Sequence, residues 1–350
     1  MVIFGIDAHK KSHTVVAVDE QGRQLRTTTV GTSTEENQRL LAWAKSCGRE
    51  RLWAVEDCRS LSRRLEHDLL LVGERIVRVS PKMMASTRKA ARTYGKSDPI
   101  DALAVARTAL REPDLPAAAL DGKEREIRLL VDHREDLVSE RTRVINRLRW
   151  HLHEINPDWE IPKHHFTTCP AQLVSLELRL AETEGTLAHL AKELLERCNC
   201  CTKRIIELNK ELDSLVRTQA PSLVEIYGCG TLTAAKIIAE TAGVLRFRSK
   251  DAYARYNGTA PIPVWSSNTE RFRLSRSGNR QLNAALHRIA LTQSRYHPGA
   301  RAYLERRQMM GNTKREGIRA LKRRLSDVVF AALVRDARNG QVESYQIFSA

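Results

Sequence analysis

Four carboxylates stand where a sheet and a helix would bring them together. Asp7 closes the apolar run Val2-Ile3-Phe4-Gly5-Ile6, and Glu56 closes a second run, Leu52-Trp53-Ala54-Val55. A buried strand that ends in a carboxylate delivers it to the sheet edge, where loops and ligands meet. Asp98 and Asp101 stand at i and i+3 at the start of a helical segment, so both can face one direction. Oxygen ligands in this number suit hard divalent cations, Mg2+ or Mn2+. Two such cations can flank a phosphodiester, activate the attacking oxygen and stabilise the leaving one. Each acid also has an ordinary reading. Asp98 before Pro99 is a good N-cap with proline at N1, Asp101 complements a helix dipole, Asp7 can cap a turn, and Asp57 competes with Glu56. The joint placement of all four favours a metal site.

The elements that must position these acids follow from patterning. Val2–Asp7 and His13–Val18 read as strands, and Gln21-Gly22 turns into a third near Gln24–Thr28. Ser33 with Glu36 has capping-box spacing and opens a helix that ends near Gly48. Arg51–Glu56 is a fourth strand, Leu61–Val72 a helix stopped by Gly73, and Arg75–Val79 a fifth strand. Helical sequence begins at Pro81, breaks around Gly95 and restarts at Pro99. Strands in succession followed by alternation predict a ribonuclease-H-like mixed sheet, whereas a dinucleotide-binding fold would alternate from the start and carry G-x-G-x-x-G.

Beyond residue 118 the chain reads as helical. Leu173, Leu176, Leu180, Leu187, Leu190, Leu194, Cys201, Ile205, Leu208, Leu212 and Leu215 recur in steps of three, four or seven. Ile127, Leu130, Leu137, Val144, Leu148, Leu152 and Ile155 form a partner run. The pair predicts an antiparallel coiled-coil hairpin over 119–218, connected near Pro157–Pro170. Gly228-Cys229-Gly230 before Thr231–Ala242 has the form of a helix-hairpin-helix turn, and Gly258–Ser277 reads as a functional loop. The expected organisation is α/β plus α: a mixed-sheet domain over 1–118, the hairpin over 119–218, and a mainly helical domain over 219–350.

Composition narrows the partners. The net charge is +16 in 350 residues, and residues 271–338 carry 17 Lys/Arg against 4 Asp/Glu, a net of +13. So concentrated a charge favours a polyanion. The seven cysteines are odd in number and irregular in spacing, which disfavours a disulfide framework, and Cys198, Cys200 and Cys201 lack paired zinc spacing. No apolar run is long enough to span a membrane, and the N-terminus has no leader pattern, so a cytoplasmic, prokaryotic protein with no membrane partner is expected.

The ordered motifs carry a specific resemblance. Gly5-Ile6-Asp7-Ala8-His9-Lys10, Val55-Glu56-Asp57 and Lys96-Ser97-Asp98-Pro99-Ile100-Asp101-Ala102 resemble the DEDD motifs of insertion-sequence 110 family transposases. Tyr227-Gly228-Cys229-Gly230, Tyr256-Asn257-Gly258-Thr259-Ala260-Pro261 and Leu274-Ser275-Arg276-Ser277-Gly278-Asn279 extend the resemblance through the second half. It implies a RuvC-like domain with a catalytic Asp7, Glu56, Asp98, Asp101 set, and a nucleophilic serine in the C-terminal domain. The matching position is Ser266, with Ser267 as competitor where the family usually has glycine. The resemblance further implies a phosphoserine link to DNA, donor and target DNA as partners, and a structured non-coding bridge RNA as guide. It also implies a homo-oligomer, dimer or tetramer, whose composite site draws acids and serine from different protomers. Arg271, Arg273, Arg276, Arg280, Arg319, Lys322, Arg323 and Arg324 are the expected phosphate contacts. The alternatives are a metal-dependent RuvC-like nuclease or junction resolvase that uses water, and a non-catalytic nucleic-acid scaffold. An actin-like ATPase fits poorly, since no later Gly-rich phosphate loop follows the Gly5-Ile6-Asp7 strand.

Overall fold

The computed structural model describes residues 1–56, 61–81, 83–84, 87, 97–112, 114–118, 120, 122–159, 170–266, 269–273, 275 and 278–348. The chain forms two compact units. One joins Met1–Gly122 with Gly243–Val334, and the other joins Lys123–Ala242 with Arg335–Ala350.

In the first unit, strands β1 (Val2–Ala8), β2 (Ser12–Val18), β3 (Gln24–Gly31), β4 (Arg51–Glu56) and β5 (Ile76–Val79) form one sheet in the order β3-β2-β1-β4-β5. The first three run antiparallel, and β4 and β5 run parallel to β1. This is the mixed sheet expected of a RuvC-like domain. Helix α1 (Thr34–Cys47) enters as its capping signal predicts, with the Ser33 hydroxyl accepting from the Glu36 amide at 3.3 Å.

Strand alternation divides the core in two. Phe4, Ile6, Val15, Trp53 and Val55 pack with Leu40 and Ala44 of α1 and Leu65 and Leu69 of α2 (Arg63–Leu71). Ile3, Val16, Val18 and Ala54 face the other way, onto Ala102, Val105 and Ala106 of α3 (Asp98–Arg111). Each face buries aliphatic area that drives the layer together. Gly5 sets how near α3 comes: a Cβ there would meet the Ala102 carbonyl oxygen at 2.0 Å and the Ala106 amide at 2.5 Å. Only glycine allows this approach.

The remainder of the first unit holds α9 (Lys250–Tyr256), β6 (Ile262–Ser266), β7 (Thr269–Arg273), α10 (Arg280–Tyr296), α11 (Pro298–Met309) and the α12 helix (Lys314–Phe348) as far as Val334. The segment expected to be a loop, Gly258–Ser277, instead contains a two-stranded antiparallel ribbon. Ile262, Val264, Trp265 and Phe272 have strand preference, and Pro261 and Pro263 mask it in the sequence. The roots of the ribbon interlock through glycine. Gly258 has φ +72, and a Cβ on Gly278 would lie 2.2 Å from the Gly258 amide nitrogen.

The second unit contains α4 (Lys123–Ile155), α5 (Pro170–Ala181), α6 (Thr186–Gln219), α7 (Pro221–Val224) and α8 (Thr231–Thr241). Helices α4 and α6 pair antiparallel. Arg134 donates to Asn209 and Arg141 to Thr202, Arg197 pairs with Glu140, and Leu148 and Leu152 cluster with Ala191 and Leu195. The apolar stripe differs from the expected one. Leu190 is 40% exposed, while Ala188, Ala191, Leu195 and Cys198 are buried. Gly185, at φ +102, interrupts the helix, so the stripe restarts one residue out of phase with the run that ends at Leu180. Cys198 and Cys201 are stripe residues and Cys200 is exposed. Cys198 and Cys201, three residues apart, share a helix face while Cys200 falls off it, which argues against zinc. The expected connection at Pro157–Pro170 falls mostly outside the described residues. Further along, Ser222 donates from its amide and hydroxyl to buried Asp336.

Candidate active site

Asp7 and Glu56 reach one end of the sheet on neighbouring parallel strands. The register Ile6↔Val55 sets them level, and alternation turns both toward α3. Helix α3 begins at Asp98, so Asp98 is its first residue and Ser97 occupies the cap position without a side-chain cap bond. The Asp98 carboxylate lies 3.5 Å from His9 Nε2, which is itself 3.1 Å from Asp7 Oδ2. Asp101, one turn along, is buried and raises the Asp7 pKa through charge repulsion. The close seat of α3 on Gly5 thus brings both helical acids over the end of β1.

The electrostatics are those of a charge-loaded site. Burial pushes the Asp7 carboxyl above its ordinary range, the neighbouring His9 pulls it back, and Asp101 and Asp98 push it further up. Ligand atoms of Asp7, His9 and Asp98 lie within 4.8 Å of one another. A divalent cation would relieve the repulsion between the acids, and the oxygen donors match its chemistry. The residues present fit such a group. His9 is not singled out from the sequence: it follows the last residue of β1, where strand alternation gives no guide. Beside it, His13 pairs with Ala8 across the sheet, and burial lowers its imidazole pKa.

Ser266 ends β6, where it pairs with Thr269. The base of this ribbon is held by Asn257, which is fully buried. Its Nδ2 donates to Ser326 Oγ at 2.7 Å, and its Oδ1 accepts from the Thr259 amide and hydroxyl. Its carbonyl accepts from Asn283 Nδ2 at 2.8 Å, and the Asn279 amide donates to the Tyr256 carbonyl at 2.7 Å. Gly278 and Asn279 therefore meet Tyr256, Asn257 and Gly258 in one clamp at the root of the ribbon. No local sequence signal reveals this, because Asn257 and Ser326 are 69 residues apart.

Two family matches cover most of the chain. Residues 4–157 match the transposase family with the DEDD acids of IS110, and residues 220–305 match the transposase IS116/IS110/IS902 family. The chain belongs to the IS110 family of transposases. An uncharacterized 42 kDa protein of insertion element IS900 from Mycobacterium paratuberculosis is 24% identical over 94% of each chain. An uncharacterized 44.8 kDa protein of insertion element IS116 from Streptomyces clavuligerus is 26% identical over 95% of this chain and 94% of its own. Among solved structures, Thermus thermophilus RuvC matches with TM-score 0.28 and 17% identity, over 34% of this chain and 100% of its own. The same protein in complex with a Holliday junction substrate matches with TM-score 0.27 and 17% identity, over 34% of this chain and 99% of its own.

This transposase acts on DNA, and its candidate phosphate contacts are unlike one another. Arg273 and Arg280 are exposed, and Arg324 lies over the Tyr303 ring at 4.4 Å. Arg319 pairs with Glu316 at 3.5 Å. Lys322 is buried and donates to Asn283 Oδ1 at 2.7 Å, and burial depresses its pKa. Arg323 bridges Asp251 and Asp327. The side chains of Arg271 and Arg276 lie outside the described residues, as does Ser267. No helix among the described residues is long and apolar enough to cross a membrane.

Proposed function

We propose that this transposase breaks and rejoins DNA through a covalent serine ester, with Ser266 as nucleophile and Asp7, Glu56, Asp98 and Asp101 as a divalent-metal platform. The observation that carries the reading is the gathering of Asp7, Asp98 and Asp101 over one end of β1, with His9 between Asp7 and Asp98. A Mg2+ or Mn2+ ion bound there would polarise the scissile phosphate and stabilise charge as it develops on the oxygens. Asp7, Asp98 and Asp101 supply oxygen ligands, and Glu56 completes them from β4. His9 holds the Asp7 carboxylate in place.

In the proposed step the Ser266 oxygen forms a new bond to phosphorus and the bond from phosphorus to the 3′ oxygen breaks. The serine proton ends on the released 3′-hydroxyl. The number of phosphoester bonds is unchanged, so attack by another 3′-hydroxyl reverses the step without an external energy source. The Asn257 clamp supports this reading by giving the ribbon a fixed base, since misplacing a nucleophile by an ångström sharply lowers the rate. A structured non-coding RNA is the proposed guide, with base pairing reading sequence and the protein reading backbone and shape. We assign the acids and the serine of one composite site to different protomers of a dimer or tetramer. Exposed apolar side chains on the helical hairpin, Trp150 on α4 and Ile206 on α6, support association there.

The test is a nicked, labelled DNA substrate that traps the ester, resolved under denaturing conditions. Wild type and Ser267→Ala are expected to form a protein–DNA adduct, and Ser266→Ala to form none. Cleavage by Ser266→Ala without an adduct would establish the water-using nuclease instead. Sequencing of RNA that co-purifies with the protein tests the guide.

A further inference from the structure

The β6–β7 ribbon exposes two large aromatic side chains, Trp265 at 69% and Phe272 at 55%. Trp265 pairs with Glu270, and Phe272 pairs with Pro263. By strand alternation the two rings share a face as diagonal neighbours, a separation of about 7–8 Å that large rings can bridge. Other exposed rings, Trp150, Tyr227 and Tyr296, stand singly at separate places in the chain, whereas these two share one face. Leaving two in water is unfavourable for folding alone.

Phe272 and Arg273 also form part of the wall of a cleft of about 620 Å³, lined further by Tyr303, Arg307, Arg319 and Arg324. Glu316 is the one carboxylate among the lining residues. Arg307 Nε is buried without a hydrogen-bond partner, a donor set for an anion. The Arg324 guanidinium carbon lies 4.4 Å from the centre of the Tyr303 ring, and Arg324 has no carboxylate partner among the described residues. Planar arginines with free donors match phosphate oxygens, and exposed rings match the flat faces of bases.

We propose that the aromatic face of the ribbon and the arginine cleft form a track for an unpaired nucleic-acid strand, its bases on Trp265 and Phe272 and its phosphates on Arg273, Arg307 and Arg324. The proposal rests on the reading of this ribbon as a DNA-handling element, and it specifies the form of strand bound. A duplex hides its base faces within the stack, so the rings would gain nothing from it. Unpaired DNA and unpaired RNA present the same phosphates and π-faces.

Binding is measured on the full-length protein in chelator, where no strand chemistry runs. Labelled single-stranded DNA, single-stranded RNA of the same sequence and duplex DNA are titrated at several salt concentrations. Trp265→Ala is expected to weaken at least one single strand by about 10-fold, as loss of one stacking contact does. Duplex binding and the salt slope should hardly change. Trp265→Phe keeps a π-face and should bind nearly as wild type. The double variant Arg307→Gln/Arg324→Gln is expected to reduce the slope of log K against log salt for the single strand by roughly 1.4, about 0.7 per lost phosphate contact. The single strand that loses more with Trp265→Ala is the resident one. Equal effects of Trp265→Ala on single strand and duplex, no effect on either single strand, or an unchanged slope in the arginine variant would overturn the track. Absence of any protein–DNA adduct in wild type, with intact strand binding, would sink the serine chemistry and leave the track standing.

Discussion

Gly5 and Ala102 touch through their backbones. A single methyl group on Gly5 would fall 2.0 Å from the Ala102 carbonyl oxygen. Asp7 lies two residues beyond the glycine and Asp101 one residue before the alanine, so this contact fixes how far apart the two acids stand. The closeness of strand and helix is a property of the backbone, and no side-chain adjustment can restore it once lost.

Gly5→Ala should therefore destabilise the protein by about 3 kcal/mol or more, at the upper end of overpacking penalties. DNA cleavage should be lost under conditions where the variant is still folded. Denaturant unfolding and a nicking assay check the two halves. A variant of wild-type stability would mean that α3 does not sit on β1 as described.

Asp7 makes stability depend on pH and on metal. Its folded pKa is raised by burial and by the neighbouring Asp101 and Asp98. Its contribution is fully present below the unfolded aspartate value and is lost as pH rises through the raised folded value. Without metal, Asp7→Asn should be more stable than wild type at neutral pH, with the difference vanishing in acid. Added Mn2+ should raise the Tm of wild type and leave Asp7→Asn unmoved. Thermal melts in chelator and in Mn2+ across pH check this, and an Asp7→Asn variant less stable than wild type at neutral pH contradicts it.

Asn257 accepts twice through its side-chain oxygen and donates once from its side-chain nitrogen inside the clamp. Asn257→Ala removes the Asn257 bonds of the Thr259 and Ser326 hydroxyls and should cost roughly 2–4 kcal/mol, since each orphaned polar group costs about 1–3 kcal/mol. Ser326→Ala removes one partner only and should cost less. Urea unfolding of both variants measures the difference, and equal costs would show that the clamp is not centred on Asn257.

The basic helix should separate into binding and structural cations. Arg319→Gln is expected to lower the duplex salt slope by about 0.9, the value for one phosphate contact. Arg323→Ala should leave that slope in place and lower stability by about 1 kcal/mol, the scale of a partly exposed ion pair. Salt titrations beside unfolding curves decide it. A full unit of slope lost with Arg323→Ala would move Arg323 to the binding group.

Much of the acid site could be read in the sequence because apolar runs that end in carboxylates declare both a strand and its terminus. Asp7 and Glu56 are legible this way, Asp98 and Asp101 from their i, i+3 spacing at a helix start, and the mixed sheet from three strands in succession. His9 escaped because it sits past the end of the strand, where alternation is no longer trusted. The ribbon escaped because prolines dilute its strand signal. Lys322 looked like its basic neighbours, yet it falls on the buried stripe of Leu321, Leu325, Val329 and Leu333, so helical phase carried the warning. The clamp of Asn257, Asn279 and Asn283 was invisible because its bonds join residues far apart in the chain. The break at Gly185 shows the reverse failure, in which a regular leucine repeat concealed a change of phase.

The clamp makes the ribbon a lever. Its glycine contact, Gly258 against Gly278, lies at the fulcrum, and Ser266 lies on the order of 13 Å along the strand from Ile262, at about 3.3 Å per residue. A rotation of about 10° at the fulcrum would carry the tip some ~2 Å, more than the tolerance of in-line attack on phosphorus. On the proposed serine mechanism, small repacking at two glycines would engage or disengage Ser266 with no change in the serine itself. On that mechanism, selection for faster or slower mobilisation of the element would act at the fulcrum and leave the proposed reacting groups intact.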